Sequence, residues 1–128
     1  MRTVLCAPDG PRLRSDRDVI DLIGHALEHG AEMVVVPAQR LDDGFFTLRT
    51  GVAGEVIQKF VNYRLRLAIV GDISRHLQKS SALRDFVGES NRGRHVWFAP
   101  DLAALDARLE RAARSLGGGP GSDRACGR

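Results

Sequence analysis

Four short apolar runs alternate with longer amphipathic stretches, and that alternation limits the fold more than any other feature of this sequence. The runs are Thr3 to Ala7, Met33 to Val36, Leu65 to Val70 and His95 to Ala99. The middle two are apolar at nearly every position, the pattern of a strand buried on both faces. Between the runs, apolar residues recur at the spacing of a helix with one buried side. Val19, Ile20, Leu22, Ile23, Ala26 and Leu27 mark a helix from Ser15 or Asp16 to about His29, stopped by Gly30. Phe45, Leu48, Val52, Val56, Ile57 and Phe60 mark a second, from roughly Phe46 to Asn62, loosened or restarted at Thr50-Gly51. Ser80 or Ser81 caps a third that closes near Gly93, and Asp101 caps a fourth that ends near Leu116. The order β-α-β-α-β-α-β-α predicts an α/β domain with a single, mainly parallel four-stranded sheet and right-handed crossovers.

A chain of 128 residues fits one such domain, residues 1–116, with a Gly-rich tail, residues 117–128, expected to be disordered. No apolar run approaches the roughly 20 residues that a membrane helix needs. Met1-Arg2-Thr3 leads into a strand rather than a signal-peptide core, so we expect a cytoplasmic protein with no membrane partner. The net charge is +3, and 17 of the 19 basic residues are Arg. They are spread along the whole chain with few aromatics between them, which argues against a nucleic-acid partner. Cys6 lies in an apolar run and reads as a core residue; Cys126 reads as a free thiol in the tail. Neither these cysteines nor His25 and His29 form a metal-ligand pattern, and no phosphate-loop glycine pattern occurs. No cofactor is expected.

The segment from Phe45-Phe46 through Thr50-Gly51-Val52-Ala53-Gly54-Glu55 to Gln58-Lys59-Phe60-Val61-Asn62-Tyr63, continued by Leu67-Ala68-Ile69-Val70-Gly71-Asp72 and Glu89-Ser90-Asn91-Arg92-Gly93, resembles a bacterial family known as domain of unknown function 4180. The resemblance covers about residues 2 to 110. It implies no particular activity. Members carry one more strand ahead of the segment matching Arg2 to Ala7, so the first family strand is expected to be missing here. That leaves Arg2 to Ala7 as an edge prone to self-association. With that strand restored, the element order is similar to STAS domains, the fold of bacterial anti-sigma-factor antagonists. Those domains are phosphorylated on a Ser or Thr just before a Gly at the start of the second helix, a position Thr50-Gly51 resembles. The sequence departs from STAS in a longer loop, Pro37 to Arg49, and in having no Asp-Ser-Ser-Gly before the helix.

Two sets of residues are candidates for function. Thr50, Gly51, Gly54, Glu55, Gln58 and Lys59 lie at the start and on the polar side of the second helix. Thr50 reads either as an N-cap or as a phosphoacceptor facing free helix N–H groups. The glycines each cost close to 1 kcal/mol relative to Ala, which points to close approach by the sheet, a neighbouring chain or a ligand. Glu55 and Lys59 are spaced for an i,i+4 ion pair. These residues predict a non-enzymatic regulatory domain that binds a protein partner through the second helix. The alternative is an enzyme or small-ligand binder at the carboxyl ends of the strands, where Arg40, Asp72, Ser74 and His76 fall. Asp72, Ser74 and His76 have the residue types of a hydrolytic triad, but no nucleophile-elbow glycines flank Ser74, and no residue is assigned a catalytic role.

Overall fold

The computed structural model describes residues 2–6, 13 and 16–117. Four strands, β1 (Thr3–Leu5), β2 (Met33–Pro37), β3 (Arg66–Val70) and β4 (Val96–Ala99), form one sheet in the order β1-β2-β3-β4. Every neighbouring pair is parallel, with Val35 aligned to Leu5 on one side and Ala68 on the other. The expected α/β class and parallel sheet are thus present. The helices are α1 (Asp16–Glu28), α2 (Asp43–Phe46), α3 (Val52–Asn62), α4 (Ser74–Lys79), α5 (Ser81–Arg92) and α6 (Leu102–Gly117). The expected tail lies, apart from Gly117 at the end of α6, outside the described residues, as does Cys126.

Sequential strand order with right-handed crossovers puts the connecting helices on one face. Val34, Val36, Leu67, Ile69, Val96 and Phe98 point to that face and share a core with α1, α3 and α5. Met33, Val35, Ala68 and Trp97 point to the other face, where Leu105 of α6 packs on them. Each central strand is therefore sandwiched, which is why the runs read as continuously apolar. Val35 and Ile69 are buried as expected, and Val70 is half-buried.

The caps fall where the sequence placed them. The Ser80 hydroxyl accepts from the Leu83 N–H at 3.1 Å, and the Asp101 carboxylate accepts from the Ala104 N–H at 2.8 Å. Gly30 ends α1 at a left-handed φ of 67°. The stretch expected as one long helix is divided. It comprises α2, a 3-10 turn over Leu48–Thr50 and α3, with Gly51 at φ 78° between the last two. A left-handed residue cannot continue a right-handed helix, so the restart at Thr50-Gly51 becomes a full break. Helix α4 forms at the carboxyl end of β3, where the sequence pattern predicts no helix.

Candidate functional site

At the carboxyl ends of the strands, Gly71 approaches Ala38 so closely that a Cβ on it would lie 2.9 Å from the Ala38 Cβ. The four candidates there do not converge. The Asp72 carboxylate accepts from the Ser74 N–H at 2.9 Å and also from the Ser74 hydroxyl, opening the first turn of α4. Those bonds hold the Asp72 carboxyl below its usual pKa. His76 turns away from both. Its ring stacks on Phe46 at 4.3 Å, and its Nε2 lies 3.9 Å from the Asp43 carboxylate. Burial, helped by the nearby Arg75 charge, pushes the imidazole below its usual value, against the opposing pull of Asp43. Arg40 follows β2 on a separate turn, and its charge reaches the buried Cys6, whose thiol is pushed up by desolvation. The triad types Asp72, Ser74 and His76 are therefore a helix start plus a packed ring. Among the described residues no group of three potential metal ligands occurs. The His25 and His29 rings touch at 4.3 Å, but the His29 Nδ1 bonds the His25 carbonyl.

The face of α3 is more open. Gly51, Gly54, Glu55 and Gln58 are exposed along one stripe that continues to Asn62. The Gln58 amide donates to the Asn62 side chain at 2.9 Å. A Cβ placed on Gly54 would meet no atom within 4 Å beyond its own helix backbone, so the sheet does not require this glycine. Gly51 is required by its φ of 78°. Lys59 does not pair with Glu55. Its ammonium lies 3.5 Å from Asp16 at the start of α1, because α1 and α3 pack side by side and Lys59 sits in their seam. Thr50 is exposed, yet its hydroxyl is engaged by the backbone. Its one hydrogen is shared between the Gly44 and Thr47 carbonyls, each 2.8 Å away, and its oxygen accepts from the Val52 N–H at 3.2 Å.

A third cluster escaped the sequence reading. Arg66 and Arg108 place their guanidinium carbons 4.3 and 4.1 Å from the Trp97 ring centre. The Arg66 Nε donates to the Arg94 carbonyl at 2.7 Å, and Arg108 donates to the Asn91 carbonyl. Burial and the neighbouring charges of Arg108 and Arg94 lower the Arg66 pKa; burial and Arg111 lower that of Arg108. These residues lie far apart in the chain, and only the topology gathers them at the amino ends of the strands.

The described residues thus define an all-parallel α/β domain with an exposed helix face and no assembled triad. The family model for the domain of unknown function DUF4180 matches residues 1–109, and the chain belongs to that family. No curated protein and no solved structure matches it. Among the described residues no helix is long and apolar enough to cross a membrane.

Proposed function

We propose that this chain is a cytoplasmic bacterial regulatory domain of STAS-like architecture that carries out no chemistry and docks a protein partner on the outer face of α3. The observation behind this reading is Gly54. Gly54 stands in the first turn of α3, where a glycine costs up to about 1 kcal/mol relative to Ala. Nothing within this chain occupies the space that the missing side chain leaves. Close approach by another molecule's backbone accounts for both. Glu55 and Gln58 flank that space with exposed polar groups that would fix the partner's orientation. The strand-end alternative has less support, because Asp72 and His76 are committed to different neighbours.

The test is affinity capture from the native host with wild type, Glu55→Ala and Gly54→Arg side by side. An Arg at position 54 projects into open space and favours helix, so the variant folds while the face is blocked. A protein held by wild type, weakened by Glu55→Ala and lost with Gly54→Arg supports the reading. An identical set of captured proteins from wild type and Gly54→Arg overturns it.

A further inference from the structure

We propose that the open edge of β1 pairs with the same edge of a second copy of this chain, antiparallel about a two-fold axis at Val4, joining the two sheets into one. This does not depend on the α3 face.

Among the described residues β1 is an edge strand of the sheet. The direction of its backbone groups follows from its bonds to β2. The Cys6 N–H donates to the Val35 carbonyl at 2.9 Å, and the Arg2 carbonyl accepts from the Glu32 and Met33 N–H groups at 2.8 and 3.3 Å. In a parallel ladder alternate residues address the same neighbour. Arg2, Val4 and Cys6 therefore face β2, and the N–H and C=O of Thr3 and Leu5 face outward. Edges of this kind are usually blunted by shortness, a charge, a proline, a bulge or a covering segment. Thr3-Val4-Leu5 is short, but it carries no charge, proline or bulge.

The edge complements itself. In an antiparallel pair, residues opposite each other exchange both of their bonds at every second position. Setting Val4 against the Val4 of a second copy places Thr3 opposite Leu5 and Leu5 opposite Thr3. Both residues of each such pair have their bonding groups pointing out. Every outward N–H and C=O of the strand then finds a partner, with no other segment needed.

The side chains agree with the same register. Thr3 and Leu5 project onto the face that α6 covers only in part, beside an open groove lined also by Val35, Leu102, Leu105 and Leu109. Leu5 is 59% exposed and Leu102 43%. Cross-strand neighbours share a face, so Leu5 of each copy lies beside Thr3 of the other and closes the side of its groove. A three-residue edge buries little area, so the dimer is weak and concentration-dependent.

The experiment is sedimentation velocity across a concentration series on the full chain, with wild type, Leu5→Pro and Leu5→Lys, each checked by thermal melting. Proline at position 5 removes only an outward N–H and leaves the bonds to β2 in place. Lysine keeps the N–H but puts a charge on the edge. The expected result is a wild-type mass rising toward twice 14.0 kDa, with both variants folded and monomeric at the same concentrations. In a Cys126→Ser background, Val4→Cys should form an inter-chain disulfide under mild oxidation, and Thr3→Cys, which faces Leu5, should not. A wild-type chain that stays monomeric at the highest concentration overturns the proposal. So does a dimer that survives Leu5→Pro, because its contact then lies elsewhere. Gly54→Arg, which blocks the α3 face, should leave the dimer intact.

Discussion

The Thr50 hydroxyl shares its one hydrogen between two carbonyls and accepts from one N–H at the junction of two short helical segments, although the side chain itself is exposed. Removing it takes the side-chain acceptor from the Val52 N–H and a second donor from carbonyls that also accept from the Thr47 and Thr50 N–H groups. Thr50→Val should therefore lower stability by about 1 kcal/mol, roughly 3 to 6 °C for a domain of this size. Thr50→Ser should retain nearly all of it. A phosphate on this oxygen, or Thr50→Glu, has to release the Gly44 and Thr47 carbonyls. We expect Thr50→Glu to lower the melting temperature by a similar amount, so that any loss of partner must be compared with Thr50→Val before it is assigned to charge. His76 gives a separate prediction at this scale. Burial against Phe46 sets its folded pKa below the usual 6.5. Below pH 6.5 the unfolded chain takes up a proton that the folded chain resists, so stability falls as the pH drops. The contribution is complete above the unfolded value and is lost on descending through the folded one. Thermal melts from about pH 8 to about pH 5 should show that fall, and His76→Phe, which keeps the stack without a titrating group, should flatten it.

At the scale of elements, the sheet was legible because each central strand is covered on both sides and its sequence needs no polar position. The caps at Gly30, Ser80 and Asp101 were legible because capping is local chemistry between residues a turn apart. The long helix over residues 46–62 was misread for a related reason. Its apolar stripe runs on across Gly51, and hydropathy carries no record of the sign of φ. Helix α4 was missed because six residues hold too few periods to register. The α3 face was legible from spacing, but Lys59 was assigned to the wrong carboxylate, because Asp16 reaches it only through packing of α1 on α3. The two glycines of this element now separate by mechanism. Gly51→Ala should cost about 1–2 kcal/mol, since it forces a Cβ into the left-handed region. Gly54→Ala should stabilise by about 0.5–1 kcal/mol, since the site is helical, open and already without contacts. Equal effects in paired chemical denaturations would contradict this account of the break.

Across the whole molecule, the direction of the chain decides which charges meet at each end of the sheet. α1, α3 and α5 return antiparallel to the strands, so their amino ends lie with the carboxyl ends of the sheet. Asp43, Asp72 and Asp101 lie at that end together with Arg40 and Arg75, the latter 3.3 Å from Asp43, while Arg66, Arg94 and Arg108 meet at the other. The three aspartates and the second set of arginines suit the helix dipoles, which favour anions at helix amino ends and cations at carboxyl ends. None of this was visible in a sequence whose arginines are evenly dispersed, because the grouping exists only once the crossovers are made. The basic end exceeds what the dipoles ask for. Arg66 feels both Arg94 and Arg108, and Glu32 is the carboxylate acting on it in the opposite sense. Arg108 has structural work, since it stacks on Trp97 and bonds the Asn91 carbonyl. Arg94 contributes to Arg66 through its backbone carbonyl, which a substitution leaves in place. Arg94→Gln should therefore remove repulsion without removing a bond, and raise stability at low salt by a few tenths of a kcal/mol. The gain should shrink in about 1 M salt, where the Debye length is about 3 Å and wild type is relieved of the same repulsion. The chain holds a single Trp, and it sits inside this cluster, so its fluorescence reports both unfolding and the local environment. A lower melting temperature for Arg94→Gln at low salt would show instead that Arg94 stabilises the carboxyl end of α5 more than it repels Arg66.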